Sequence, residues 1–170
     1  DALTYAGNGE PTMHPDFPGI VDDTIALRDR YMPAAKVTVL SNASRIHVPE
    51  VFGALNRLDN NIQKLDAGFP VMFGLINNPA EPVDFGRIVE GLKKFNGAVI
   101  IQSMFLRGRF RGEAIDNTLI PEVDEWLRHL ESIQPERVMI YPIARATPVH
   151  DLEKIGTEEL EKIAARVRSL

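Results

Sequence analysis

Cysteine is absent from the 170 residues. That excludes disulfide bonds, a cysteine nucleophile, a thiolate zinc site and an iron–sulfur cluster ligated wholly from within the chain. No run approaches the roughly 18 unbroken apolar residues of a membrane-spanning helix. The opening residues Asp1-Ala2-Leu3-Thr4-Tyr5 carry no basic stretch of the kind that begins a signal peptide, and a cytoplasmic location is the expectation. Positive charge is not in surplus. Lys and Arg number 19 against 24 Asp and Glu, for a net charge of -5, so nothing draws the whole molecule toward nucleic acid. Internal repeats, low-complexity tracts and long linkers are also missing. The four histidines, His14, His47, His129 and His150, lack metal-ligand spacing. There is no initiating methionine, and Asp1 leads straight into a strand. A single domain over residues 1–170, a fragment of a longer core, is therefore expected.

What the chain does contain is a repeating alternation. Short apolar strands are predicted at Ala2–Ala6, Lys36–Ser41, Asn61–Asp66, Ala98–Phe105 and Arg137–Ile143. Helices are predicted at Phe17–Tyr31, Val48–Leu58, Asp84–Phe95, Pro121–Ile133 and Thr157–Leu170. Asp84 is positioned as an N-cap or a first-turn acid, and Thr157 with Glu158 and Glu159 reads as a capping box. Five βα units imply an α/β fold with a parallel sheet and right-handed crossovers. Five are too few for a closed eight-stranded barrel, so the sheet is open or a partial barrel. Ligands bind at the carboxyl ends of strands in either case. The polar residues at those ends are Asn8, Gly9 and Glu10, then Ser41 and Asn42, then Asp66, Gln102 and Arg145.

The most specific stretch is Gly7-Asn8-Gly9-Glu10-Pro11-Thr12, between a strand and a helix. Its glycines permit close approach of backbone to ligand, and a carboxylate with carbonyls at a strand end suits an ammonium group. A tight turn with a solvated Glu10 fits the same residues. Lys64 shares a face with Asp66 by strand alternation, as a partner for it or as a ligand contact. Arg145 suits a carboxylate grip or a structural ion pair. Leu106–Gly112, with three arginines and a phenylalanine, reads as a basic loop. Met13, Met72 and Met104 read as core fillers, His129 as a surface residue, and His14 as the histidine nearest the rim.

The loop Gly7–Thr12 resembles the "GGEP" loop after the second strand of radical S-adenosylmethionine (SAM) enzymes. Val39–Ala43 resembles the "TNG" ending of that family's third strand, and Lys64–Ala67 the "LDA" of its fourth. Ile101–Phe105 and Ile140–Arg145 resemble its fifth and sixth strands, so the likeness runs in order along nearly the whole chain. The resemblance implies a partial (β/α)6 barrel lacking its first βα unit, with about five parallel strands and outer helices. The CxxxCxxC loop that holds the family's [4Fe–4S] cluster has no counterpart here. By the same resemblance, the cofactor-binding set is Asn8, Gly9, Glu10, Ser41, Asn42, Asp66, Gln102, Ile143 and Arg145. Asn8, Gly9 and Glu10 would hold the amino group of SAM, Ser41 and Asn42 its methionyl or ribose part, and Asp66 its ribose or the substrate. Gln102 and the backbone near Ile143 would border adenine.

The implied activity of the intact parent is reductive cleavage of SAM at the cluster. This yields a 5′-deoxyadenosyl radical that abstracts hydrogen from a protein, RNA or small-molecule substrate, with an electron donor as partner. Two alternatives stand beside it. One is a cluster-free domain that binds a nucleoside or a partner without catalysis. The other is a hydrolase or isomerase using Glu10 and Asp66 as an acid–base pair. A missing first strand would leave a sheet edge free for self-association.

Overall fold

The structure is a computed structural model that describes residues 1–6, 9–144, 147 and 149–170. Its elements in chain order begin with β1 (Ala2–Tyr5), a 3-10 turn (Pro11–Met13), α1 (Phe17–Tyr31), β2 (Lys36–Ser41) and α2 (Pro49–Leu55). Next come β3 (Asn60–Lys64), α3 (Pro70–Asn77), α4 (Phe85–Lys93), β4 (Ile100–Phe110) and β5 (Glu113–Asp116). The chain ends with α5 (Ile120–Ile133), β6 (Arg137–Pro142), β7 (Leu152–Lys154) and α6 (Thr157–Val167). Five strands are parallel, in the spatial order β1-β2-β3-β4-β6, and the sheet does not close. The expected α/β partial barrel with outer helices is what forms.

Alternation sends every second residue to the helices. Val39, Leu65, Val99, Ile101 and Phe105 pack there against Phe17 and Val21 of α1, Leu55 of α2, Leu92 of α4 and Trp126 of α5. Trp126 meets Phe105 edge to face at 5.2 Å. Its indole N–H donates to the Leu65 carbonyl at 3.0 Å and to Ser103 Oγ at 3.1 Å, so this buried ring has a partner for its polar handle inside the core. The opposite face points away from these core helices. From the strand registers it presents Thr4, Thr38, Leu40, Ile62, Lys64, Gln102, Met104, Met139 and Tyr141.

Several expectations need correcting. Leu106–Gly112 is not a loop: β4 runs on to Phe110 and turns back into β5. Phe110 pairs with Glu113, and the two turn residues Arg111 and Gly112 both have positive φ, 52° and 86°. That is the twist-matched two-residue hairpin, built on Arg-Gly rather than the usual Asn-Gly. The cations there are partly neutralised, Arg107 pairing with Glu159 and, at 3.8 Å, with Asp116. Thr157 heads no capping box, because it is the first residue of α6 and not its cap. Glu159 is engaged by Arg107, and Gly156 occupies the cap without a side-chain bond. Helix α3 went unpredicted because its sequence PVMFGLIN is apolar all round, with a proline at the first turn and a central glycine. Met13 is 59% exposed rather than a core filler. His129 is half-buried, bonded through Nε2 to the Gly68 carbonyl at 2.8 Å and set edge-on to Phe85.

Candidate functional site

The described site residues fall at the carboxyl-end rim, as parallel topology requires, in two groups. Among the described residues no hydrogen bond or ion pair joins the groups. Asn8 and Arg145 lie outside the described residues.

The first group spans β1 and β2. Glu10 caps the 3-10 turn: one carboxylate oxygen accepts from the Thr12 N–H at 3.0 Å and from the Thr12 hydroxyl at 2.6 Å. Its other oxygen accepts from the Asn42 N–H at 2.6 Å. Glu10 is therefore not a freely solvated turn residue but the link between the two βα loops. Ser41 is buried, and its hydroxyl accepts from the Ala43 N–H at 3.2 Å, bracing a turn where Ala43 has φ 63°. Asn42 is exposed, with Oδ1 accepting from the Ser44 N–H at 2.9 Å. Gly9 is exposed, and a Cβ placed on it would meet no atom within 4 Å.

The second group spans β3, β4 and β6. The Asp66 side chain is 0% exposed, which answers the sequence reading of a rim carboxylate. It accepts from the Met104 N–H at 2.8 Å and pairs with Lys64 Nζ at 3.0 Å. Burial pushes the Asp66 carboxyl above its usual range, against the pull of Lys64 and the Met104 N–H. Burial alone would lower the Lys64 ammonium, but Asp66 and Tyr141 outweigh it and hold it above the ordinary lysine value. Lys64 is thus a charged lysine, 30% exposed, tethered to a hidden carboxylate. Tyr141 is half-buried and also shifted upward, by burial first. Gln102 is the register partner of Lys64 on β4, and Ile143 follows β6; both are half-buried.

Sequence reading missed Asn117 and Tyr141. Asn117 is 2% exposed. Its Oδ1 accepts from the Leu106 N–H at 2.9 Å, and its Nδ2 donates to the Asp66 and Met104 carbonyls, both at 2.7 Å. It sits where β4 exchanges its parallel partner β3 for its antiparallel partner β5, and there it does a strand's hydrogen bonding with a side chain. No local motif announces that role. Tyr141 was within reach of the alternation rule, which puts it on the face of Lys64 once the β4–β6 register is known. Among the described residues, no group of three or more His, Asp or Glu side chains is arranged to hold a metal ion. No helix there is long and apolar enough to cross a membrane.

The fold has a solved counterpart. The crystal structure of a domain of pyruvate-formate lyase-activating enzyme from Bacteroides vulgatus superposes with a TM-score of 0.68 at 16% identity, covering 98% of this chain and 92% of that one. The likeness shows that the two chains share a fold, the open, mostly parallel α/β sheet described above. No family model matches the sequence. Among curated proteins, the chain is 28% identical over 166 residues to a protein named GTPase Obg from Brachyspira hyodysenteriae, covering 95% of this chain and 23% of that protein. It is 27% identical over 162 residues to a UPF0026 protein of Synechocystis sp., covering 92% of this chain and 56% of the relative. With a UPF0026 protein of Helicobacter pylori it shares 28% over 112 residues, 64% of this chain and 35% of that protein. The chain thus spans 23% to 56% of the length of these curated relatives.

Proposed function

We propose that this chain is the SAM-binding part of a radical SAM enzyme, with Gly9, Glu10 and Asn42 at the cofactor's aminoacyl end. The single observation that carries the reading is the fixing of Glu10. A carboxylate offers about four acceptor positions; three are taken by Thr12 and Asn42. The remaining position belongs to a side chain already held in place beside the open Gly9, so gripping an ammonium costs little further ordering. The ordered motifs and the shared fold support the same reading.

The residues present fit SAM but not the cluster. Glu10 and the Gly9 carbonyl suit the ammonium group, and Gln102 with the backbone near Ile143 suits a purine edge. The cluster needs thiolates, which none of the 170 residues supplies. SAM, when bound, supplies hydrogen-abstraction chemistry, and this chain's part is to hold and orient it. In this reading Asp66 takes no direct contact, being enclosed beneath Lys64.

Anaerobic calorimetric titration of the full-length protein with SAM tests the assignment. Glu10→Gln should weaken binding about ten- to a hundred-fold, since a charge-assisted hydrogen bond is worth about 1.5–3 kcal/mol. Thr12→Val removes a brace on the same carboxylate without touching the free acceptor position, and should leave the affinity within a few-fold. An equal loss in both variants would make Glu10 purely structural, and absence of SAM binding by the wild-type protein would overturn the reading.

A further inference from the structure

Two stretches at the carboxyl-end rim differ from the rest of the surface. In a chain with 25% charged residues, the segment Ala67–Ala80, which contains α3, holds none. The segment Asn117–Pro121, which leads into α5, holds none either. Each stretch exposes large apolar side chains. They are Phe69 and Val71 in the first and Leu119 and Ile120 in the second, with Val71 75% and Ile120 72% exposed. Single exposed apolar residues are ordinary, but a group drawn from two elements marks a surface that something covers.

The fold brings the two pairs to one junction and fixes them there. Glu122, in the first turn of α5, is buried, and its carboxylate accepts from the Gly68 N–H at 2.9 Å and the Phe69 N–H at 3.3 Å. His129 of the same helix bonds the Gly68 carbonyl at 2.8 Å. A Cβ on Gly68 would stand 2.4 Å from the Glu122 carbonyl oxygen, so this corner lies directly on α5. The start of α3 is thus clamped to the start of α5. An apolar surface held this rigidly loses little freedom when a partner covers it.

The charge that borders the junction is positive. Helix α3 packs against β5, which forms the arginine hairpin with the end of β4. Arg107 is paired, but Arg109 and Arg111 are exposed and make no ion pair among the described residues. Arg109 donates to the Gly112 carbonyl at 2.6 Å, and the Arg111 guanidinium lies 4.9 Å from the centre of the Phe110 ring. From Arg109 to Ile115 the two arginines face one carboxylate, Glu113, so the hairpin tip keeps a positive surplus. Nucleic acid is a poor match, because Val71, Leu119 and Ile120 give a base nothing to stack on or bond to. Apolar side chains of a protein match them well.

We propose that the junction of α3 and α5 is a docking surface for a protein partner, which supplies a short segment of large apolar side chains flanked by Asp or Glu. The apolar side chains cover Phe69, Val71, Leu119 and Ile120, and the carboxylates meet Arg109 and Arg111. The surface lies at the β3–β5 side of the rim, whereas Gly9 and Glu10 follow β1, so the inference stands apart from the SAM assignment.

The test is selection from random peptides of about twelve residues displayed on phage, against the immobilised full-length protein without SAM. Enriched peptides should combine Leu, Ile or Phe with Asp or Glu. A labelled peptide of enriched sequence should bind saturably by fluorescence anisotropy. Val71→Glu and Ile120→Glu should each weaken it about ten-fold, the loss of one covered aliphatic side chain. Both positions are mostly exposed, so circular dichroism should show the variants folded; were one to unfold, Val71→Ser takes its place. Arg111→Gln should weaken binding a few-fold and flatten its salt dependence. No enrichment, enrichment of basic peptides, or affinity unchanged in the Val71 and Ile120 variants overturns the proposal. A single-stranded RNA oligonucleotide that displaces the peptide would overturn it in favour of a nucleic-acid interface. Self-association seen by sedimentation and lost in Val71→Glu would overturn it in favour of an interface between copies.

Discussion

Asn117 holds together the place where β4 changes partners. Replacing it with leucine keeps the branched outline and the number of side-chain heavy atoms and removes three hydrogen bonds. One is from the Leu106 N–H at 2.9 Å; the others are to the Asp66 and Met104 carbonyls at 2.7 Å. With Asn117 only 2% exposed, water does not replace them. An unsatisfied buried group costs about 1–3 kcal/mol. The Leu106 N–H carries the full cost, because it loses its acceptor outright. The two carbonyls carry less, since each has a second lone pair. The sum is about 3 kcal/mol, with a range of about 2–5. For a chain of this size, about 2–4 °C per kcal/mol puts the loss in melting temperature at about 6–12 °C. Urea unfolding by circular dichroism gives the free energy, and calorimetry the melting temperature. Asn117→Asp retains the acceptor for Leu106 but sets a carboxylate against two carbonyls, so it should be at least as damaging at neutral pH and recover in part in acid, where protonation restores a donor. A Leu variant destabilised by less than about 1 kcal/mol would show that β4 does not depend on this side chain to change partners.

Gly108→Ala should uncouple β7. Gly108 has φ 136°, and a Cβ there would stand 2.0 Å from the Asp151 carbonyl oxygen, so hydrogen exchange should accelerate in Leu152–Lys154 while the parallel strands stay protected. Gly68→Ala would set a methyl 2.4 Å from the Glu122 carbonyl oxygen and 2.9 Å from the Trp126 nitrogen, both backbone atoms; a loss of about 2 kcal/mol or more is expected, read by urea unfolding. Asp59 accepts from the Val37 N–H at 2.8 Å and pairs with Arg28 at 2.7 Å. Burial opposes its ionisation, but Val37, Arg28 and Lys36 prevail and hold the carboxyl below its ordinary value. Its stabilisation is therefore complete above the ordinary aspartate value, about pH 4, and disappears as the pH falls through the lower folded value. The difference in urea midpoint between wild type and Asp59→Asn should be constant near neutrality and shrink as the pH falls below the ordinary aspartate value; a difference that grew in acid would refute the sign.

The parallel architecture was legible because it is written in local patterns. Period-2 runs such as Lys36–Ser41 and the amphipathic span Phe17–Tyr31 fold where the pattern says, since strand and helix periods follow from backbone geometry alone. The order of βα units then restricts the sheet to parallel crossovers, and the rim follows. Absent cysteine likewise settled which metal chemistry these residues cannot supply. Tertiary structure decided what each polar residue does there. Lys64 and Asp66 alternate onto one side in sequence, yet closure of Met104 and Asn117 over Asp66 is what buries one charge and leaves the other accessible. Glu10 reads as a turn residue until β2 brings the Asn42 N–H to its free oxygen, 32 residues along the chain. Hairpin β4–β5 and strand β7 are invisible to local pattern because their pairing depends on β4 outrunning its parallel neighbours. Spacing fixes which face a side chain leaves from; its burial and charge depend on what long-range packing sets opposite it.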